Sequence, residues 1–192
     1  MVFHSPMNFK RETIRKLFHL SGIFFLFLAK DFKSLSLLLL VSLIFIYLFS
    51  IFLEKTTHHG FPGVAQLTHF LKRGEKVDLA PPFLALGIIV CLLFFKFEIA
   101  TCAILQICVG DIAASLIGQQ WGKKKIFYSS EKTYLGSFCF FIAAFLVQLP
   151  FVSLFDSILL AFVGTLLESL PLKSFENLIV PLGVALFFYG YL

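Results

Sequence analysis

GDIAASLIGQQWGKKKIFYSSEKTYLGS, the stretch Gly110–Ser137, joins the end of one long apolar segment to the start of the next. It places an acid, Asp111, inside the apolar segment and three consecutive lysines, Lys123, Lys124 and Lys125, in the connection. Lysines in a connection beside an apolar segment indicate the cytoplasmic end of a membrane helix. An acid inside such a helix is costly and by default indicates a functional site. The stretch therefore predicts a bundle of membrane helices with a candidate site built into it.

The composition excludes an ordinary soluble domain. The chain of 192 residues is 59% hydrophobic and only 14% charged, whereas soluble domains carry about 25% charged residues. The net charge of +5 does not indicate nucleic-acid binding, because the lysines and arginines lie in short connections beside apolar segments. We therefore expect a single integral-membrane domain over residues 1–192, with the lipid bilayer and no nucleic acid among its partners.

Continuous apolar runs indicate helices in this chain. A membrane helix needs about 20 mostly apolar residues, and the runs lack the alternation of barrel strands. The sequence thus predicts an all-α, polytopic transmembrane helix bundle of about seven spans. The candidate spans are Leu17–Ala29, Leu35–Leu53, Leu79–Phe95, Ile99–Ile117, Leu135–Val152, Leu154–Leu170 and Leu178–Leu192.

The first candidate span also fits a signal peptide, because basic residues precede a short apolar run. However, the run leads into Lys30-Asp31-Phe32-Lys33 instead of a small-residue cleavage site, and another span follows at once. These two features favour a membrane span.

The positive charges predict the orientation. All of the 16 lysines and arginines except Lys30, Lys33 and Lys96 fall at the N-terminus or in the even-numbered connections. Because cytoplasmic loops carry the excess of positive charge, the N-terminus and these connections are predicted to be cytoplasmic. We expect a site built from them to face the cytoplasm, from the inner membrane if the source is a bacterium.

Four polar residues share one face of the first helix. Glu12, Arg15, Lys16 and His19 have the spacing i, i+3, i+4 and i+7, which places them on one side of a helix. One interpretation is a basic face that contacts anionic lipid head groups. The other interpretation is a face that binds phosphate.

Histidines and cysteines give weaker signals. His58, His59 and His69 raise the possibility of zinc, but no cysteine or carboxylate lies near them at the spacing of metal ligands. The same loop contains Gln66–Lys72, which we interpret as a short interfacial helix. The cysteines all lie in apolar runs and are interpreted as packing residues; they are Cys91, Cys102, Cys108 and Cys139.

The fourth span carries the most informative acid. Asp111 indicates a functional site, although an acid that pairs with a lysine or arginine to join helices is the alternative. Gly110, Ala114 and Gly118 recur at every fourth residue, a pattern that permits close helix packing. Asp111, Ser115 and Gly118 form an adjacent polar or small face.

Further charged residues follow this span. The lysine run and the sequence Glu131-Lys132-Thr133 before Gly136 fit a phosphate clamp, because lysine supplies charge and glycine lets the backbone approach. A positive-inside anchor is the alternative, and no P-loop motif is present. Glu168 ends the sixth span and could share a cation with Asp111. Glu176 is interpreted as an acid at a helix N-terminus.

Three motifs stand out in combination: Glu12-x-x-Arg15-Lys16-x-x-His19, then Gly110-Asp111 to Gly122-Lys123 with Lys132-Thr133 and Gly136-Ser137, then Glu168-Ser169-Leu170-Pro171 with Glu176–Pro181. Together they resemble the CTP-dependent lipid kinases, the group of dolichol kinase, phytol kinase and CTP-type diacylglycerol kinase. The chain departs from that pattern at Glu176-Asn177, where the family usually has Asp-Asn. The extra methylene of glutamate changes the reach of the carboxylate.

The resemblance implies a kinase that transfers the γ-phosphate of CTP, or of another nucleoside triphosphate, to the hydroxyl of a membrane lipid alcohol such as a polyprenol, phytol or diacylglycerol. It implies Mg²⁺ held by Asp111 and Glu168, and catalytic roles for Asp111, His19 and Lys132. His19 and Asp111 are both candidates for the general base. The residues expected to bind nucleotide phosphates are Arg15, Lys16, Lys123, Lys124, Lys125, Thr133, Gly136 and Asn177.

Three alternative functions remain at this point. The central motif is shared with the phosphatidate cytidylyltransferases, but their C-terminal signature contains histidine and arginine, which are absent from the C-terminal segment here. A small transporter would use Asp111 and Glu168 as ion or proton relays, although no inverted repeat is evident. A purely structural bundle gives no reason for an acid at position 111.

Overall fold

The computed structural model describes residues 6–57 and 78–191, with the side chains of Lys16, 18–56 and 78–191. The three histidines considered for zinc and the predicted interfacial helix Gln66–Lys72 lie outside the described residues, as does the side chain of Arg15.

The described part of the chain is helical and contains no strand; the one β-bridge in it joins Lys125 to Thr133. The all-α class predicted from the apolar runs is therefore confirmed. Its six helices are α1 (Pro6–Thr57), α2 (Ala80–Phe94), α3 (Phe97–Trp121), α4 (Tyr134–Gln148), α5 (Leu154–Ser169) and α6 (Glu176–Tyr191), with a short 3₁₀ turn, Lys173–Phe175, before α6.

Helix α1 is two arms joined by a sharp break at Phe32. The backbone of Phe32 has φ −131° and ψ 60°, which is not helical. The Ser36 hydroxyl donates to the Phe25 carbonyl oxygen at 2.8 Å, although residues eleven apart on a straight helix lie about 16 Å apart. The second arm therefore folds back along the first. The predicted spans Leu17–Ala29 and Leu35–Leu53 are these two arms.

Within residues 6–57 and 78–191, three stretches are long and apolar enough to cross a membrane: Phe18–Thr56, Phe97–Trp121 and Lys173–Tyr191. Helices α2 and α4 are also apolar but have 15 residues each, so they extend about 22 Å against a hydrocarbon core of about 30 Å. These findings support a membrane protein. The count of seven spans, the cytoplasmic N-terminus and the single domain over 1–192 stay predictions.

Helix α3 is the centre of the bundle. In the most apolar 18 residues of α3, 72% of the residues are buried, whereas in the corresponding stretch of α1 only 17% are buried. It packs against α1, α2, α4 and α6. Cys91, Cys102 and Cys108 are buried in this core as free thiols, and Cys139 is a partly buried free thiol, which agrees with their interpretation as packing residues. The outer faces expose apolar side chains, as lipid contact requires; examples are Phe24, Phe45, Phe138, Phe155 and Phe162.

A π-helical turn, Gln106–Gly110, interrupts α3 directly before Asp111. Such turns insert an extra residue and occur frequently at functional sites. The buried Gln106 side chain donates from Nε2 to Gln148 Oε1 on α4 at 3.1 Å. Its Oε1 atom points toward Gly164 of α5 and occupies the space that a Cβ there would need. Helices α3, α4 and α5 are thereby packed closely around one amide.

Gly164→Ala should lower the thermal stability of the protein in detergent. The new methyl group would overlap Gln106 Oε1, and Gln106 cannot retreat without breaking its hydrogen bond to Gln148. Overpacking of this kind costs about 1–3 kcal/mol, and a lower melting temperature would show it.

The matched control is Gly190→Ala on α6, where a Cβ meets nothing within 4 Å. This substitution should leave the melting temperature unchanged or raise it slightly, because alanine favours the helix over glycine. Equal melting temperatures for the two variants would contradict the close packing around Gln106.

Candidate active site

The buried carboxylate of Asp111 has two basic partners on the first arm of α1. Asp111 is 2% exposed. Lys16 Nζ lies 2.5 Å from Asp111 Oδ2, and His19 Nδ1 lies 3.0 Å from the same oxygen, without hydrogen-bond geometry. The structure thus brings Lys16 and His19 to one carboxylate, as their shared helical face allows. A buried charge needs such compensation, because an unpaired one is very costly.

A second ion cluster is centred on Lys132, which precedes α4. Its Nζ atom lies 2.7 Å from Glu168 Oε1 at the end of α5 and 2.5 Å from Glu176 Oε2 at the start of α6. The Ser137 hydroxyl on α4 donates to Glu168 Oε2 at 3.1 Å. One lysine therefore connects the ends of three helices.

Lys132 keeps its positive charge in this cluster. Burial opposes the charge, but attraction by Glu176, Glu168 and Asp111 outweighs burial and raises the pKa of Lys132 above its ordinary value. The side chain is therefore protonated at neutral and mildly alkaline pH. It can bind an anion as a cation, and it cannot serve as a general base.

Residues of both clusters line one polar cleft between the ends of the helices, and His19 lies beside it through its contact with Asp111. The predicted Asp111, Ser115 and Gly118 face of α3 forms one wall of it. Six predicted site residues are brought together there: Lys16, Asp111, Lys132, Thr133, Gly136 and Glu168.

The connection from α3 to α4 holds Lys132 in place by its backbone. Ile126 N donates to Lys132 O at 3.0 Å, and Lys132 N donates to Ser129 Oγ at 3.2 Å. Thr133 then caps α4, with its Oγ1 accepting from Gly136 N at 3.0 Å. These bonds fix the position of Lys132 at the first turn of α4.

The close packing predicted for the small residues of α3 is confirmed. A Cβ at Gly118 would meet the Thr133 hydroxyl and the backbone of Gly136, and one at Gly110 would meet the ring of Phe140. The absence of side chains at these glycines lets α3 and α4 approach closely. This approach brings Asp111 and Lys132 to the same cleft.

Other predicted phosphate-binding residues lie elsewhere. Lys123, Lys124 and Lys125 are exposed and do not line the cleft; Lys125 Nζ donates to the Glu131 carbonyl oxygen at 3.1 Å. Asn177 is buried, and its Nδ2 donates to the Ala80 carbonyl oxygen at 3.0 Å. Phosphate binding by these residues stays a prediction.

Several cleft residues were not predicted as site residues. Glu176 was interpreted as a helix N-terminal acid, and the structure also pairs it with Lys132. Its place in the closing motif was the available signal. Ser137, Gln119 and Lys173 also line the cleft. Ser137 belongs to the same motif as Asp111, and Gln119 lies about two helical turns after Asp111, whereas nothing in the sequence links Lys173 to Asp111.

The donor set is chemically suited to a hard cation. The described residues contain no group of three or more histidine, cysteine or acidic side chains that would hold a metal alone. Mg²⁺ needs only one or two carboxylates when substrate phosphates supply further oxygens. Asp111, Glu168 and Glu176 offer such carboxylates to one cleft, so the predicted pair of Asp111 and Glu168 fits this requirement.

Lys132→Met should destabilise the protein. It would leave the buried carboxylate of Glu168 and the partly buried carboxylate of Glu176 without their shared cation. Breaking a fully buried ion pair costs about 3–5 kcal/mol, which is an upper bound for this partly buried cluster. We expect a clear fall in the melting temperature in detergent and a smaller fall for Lys132→Arg, which keeps the charge.

The control is Lys124→Met, because Lys124 is an exposed lysine in the same connection. Its effect on the free energy of unfolding should stay within about 0.5 kcal/mol. Equal melting temperatures for Lys132→Met and Lys124→Met would show that the ion cluster around Lys132 does not stabilise the fold.

Comparison with curated proteins finds relatives along much of the chain. This chain is 27% identical over 136 residues to phytol kinase 1, chloroplastic, of Arabidopsis thaliana. The alignment covers 61% of this chain and 45% of the relative. The chain is 36% identical over 97 residues to the phytol kinase of Synechocystis sp., covering 45% of this chain and 42% of the relative. Farnesol kinase, chloroplastic, of Arabidopsis thaliana is 27% identical over 135 residues, with 60% and 44% covered.

These alignments span less than half of the length of each of the three relatives. No protein-family model matches the chain, and no solved structure matches it. The resemblance that the sequence motifs indicate is nevertheless confirmed: the chain is similar to phytol and farnesol kinases.

Proposed function

We propose that the chain is a membrane kinase that transfers the terminal phosphate of a nucleoside triphosphate to the hydroxyl of a lipid alcohol. The resemblance of its motifs to the CTP-dependent lipid kinases favours CTP as the nucleotide. The observation that carries the proposal is the cleft in which Lys16 and Lys132 lie among the buried carboxylates of Asp111 and Glu168 and the partly buried carboxylate of Glu176. The similarity to phytol and farnesol kinases supports the same reaction.

In this reaction the alcohol oxygen forms a bond to the terminal phosphorus, and the bond between that phosphorus and the nucleoside diphosphate breaks. The diphosphate leaves with the electron pair, and the hydroxyl proton passes to a base. Such transfer depends mainly on positioning and on neutralising phosphate charge. Lys16 and Lys132 would supply positive charge, and the Gly136 backbone would permit close approach.

Asp111 and His19 are the candidates for the proton acceptor. Their side chains lie 3.0 Å apart, and a carboxylate beside an imidazole can orient the ring for proton transfer. Lys132 is excluded from this role because its pKa is raised.

The charge of the cleft favours a metal ion that binds together with the triphosphate. Its lining includes the lysines Lys16, Lys132 and Lys173, and a slightly larger number of acids: Asp111, Glu131, Glu168 and Glu176. A triphosphate that enters this nearly balanced lining needs additional positive charge. Mg²⁺ held by Asp111 and Glu168 would supply it by neutralising phosphate oxygens.

We propose that the cleft faces the cytoplasm. Asp111 lies ten residues before the end of α3, about 15 Å along the axis, and the lysine-rich connection follows that end. The concentration of positive charge on this side supports a cytoplasmic orientation, from which a soluble nucleotide would reach the cleft.

The test is transfer of label from γ-³²P-CTP and other labelled nucleotides to phytol, farnesol, a polyprenol and diacylglycerol by purified protein. Label in the lipid supports a kinase. Label released as pyrophosphate in the presence of phosphatidate would indicate a cytidylyltransferase instead and would contradict the proposal.

Asp111→Asn should reduce the transfer at least a hundredfold, because it removes the charge at the centre of the cleft. The matched control is Asp156→Asn at the start of α5, where the carboxylate accepts from the nearby Ser153 hydroxyl. This control should keep wild-type activity. Full activity of folded Asp111→Asn protein would overturn the role assigned to Asp111.

A further inference from the structure

An apolar cavity of about 200 Å³ lies between the two arms of α1 and the start of α2. Most of its wall is hydrocarbon, contributed by residues such as Phe25, Leu40, Ile44, Ala85 and Ile88. It shares no lining residue with the polar cleft, and His19 is the member of the ion clusters that lines it.

The cavity and the polar cleft meet at His19. The His19 side chain lines the cavity, and its Nδ1 atom lies 3.0 Å from Asp111, which lines the cleft. His19 is 6% exposed. A molecule in the cavity would therefore reach the charged cleft through the imidazole.

The polar groups of the cavity lie at one of its ends. His19 lies 13 residues before the break at Phe32 and Tyr47 lies 15 residues after it. Asp78 precedes α2, and its carbonyl oxygen accepts from the Tyr47 hydroxyl at 2.6 Å. Phe25 is six residues deeper than His19, about 9 Å along the arm. The cavity is thus polar at the end beside the cleft and apolar toward the helix break.

The rim of the cavity is open toward lipid. Phe18 is 39% exposed and Leu43 is 48% exposed, yet both line the cavity. Other side chains of the two arms, such as Phe24 and Phe45, are also apolar and exposed. A hydrocarbon chain could therefore pass from the bilayer into the cavity without crossing water.

On the basis of the proposed kinase function, we propose that this cavity holds the hydrocarbon chain of the alcohol next to its hydroxyl, with the hydroxyl at His19. The occupant is an alcohol with one hydrocarbon chain. A diacylglycerol would bring two ester groups beside the hydroxyl, and their carbonyl oxygens would meet the apolar wall at Phe18 and Gly22. The Ser21 hydroxyl in this part of the wall already donates to the Phe18 carbonyl oxygen.

Ala85 is the residue that sets how much chain the cavity accepts. It is a small, partly buried residue in the wall of α2, between the polar end at Ala80 and the deep end at Ile88. A larger side chain at this position would fill the cavity below His19 and leave the His19–Asp111 contact intact.

The experiment compares Ala85→Phe with Leu86→Phe, which adds a ring at the neighbouring exposed position outside the cavity. Phosphorylation of farnesol and of the five-carbon alcohol prenol is measured for both and for the wild type. Ala85→Phe should lower kcat/KM for farnesol at least tenfold, in the range that a hydrophobic pocket discriminates, and change that for prenol less than twofold.

Leu86→Phe should match the wild type with both alcohols. An equal loss with farnesol and prenol, or no loss, in Ala85→Phe would overturn the assignment of the cavity. If wild-type protein phosphorylated no alcohol, the proposed kinase function would fail first, so the two failures are distinguishable.

A binding measurement covers the case in which Ala85→Phe does not fold. A photoreactive farnesol analogue should label wild-type protein within residues 18–47 or 80–88, and unlabelled farnesol should prevent this labelling. Labelling confined to other segments would overturn the proposal.

Discussion

The ion pair between Lys16 and the buried Asp111 is the contact on which the rest of the arrangement depends. A carboxylate that is 2% exposed inside a membrane helix requires a partner charge. That partner comes from the first arm of α1, so the arm is held against α3. Because the chain reverses at Phe32, the second arm follows, and the apolar cavity between the arms is placed beside the polar cleft.

The two ion clusters divide the cleft between different helices. Asp111 joins α3 to α1, whereas Lys132 joins the start of α4 to the ends of α5 and α6. Each lysine is neutralised by carboxylates when phosphate is absent. A phosphate that enters would compete with these carboxylates for the lysines, and the released carboxylates would be available to a cation. The same residues can therefore hold the fold together and rearrange around a substrate.

The positions of the helices could be predicted from the sequence, because continuous apolar runs of membrane length have few alternatives. The gathering of Lys16, Asp111, Lys132 and Glu168 in one cleft agrees with motifs that occur together in the chain. The break at Phe32 falls in the connection predicted between the first two spans. The π-helical turn at Gln106–Gly110 could not be predicted, because the bond between Gln106 and Gln148 that accompanies it joins residues distant in sequence.

The most direct test is an experimental structure of the protein with a non-hydrolysable CTP analogue, Mg²⁺ and farnesol. The proposed arrangement places the triphosphate in the cleft between Lys16 and Lys132, the farnesol hydroxyl beside His19, and the farnesol chain between the arms of α1. A triphosphate bound only to the exposed lysines of the connection from α3 to α4, with the cleft lysines still paired to their carboxylates, would contradict it.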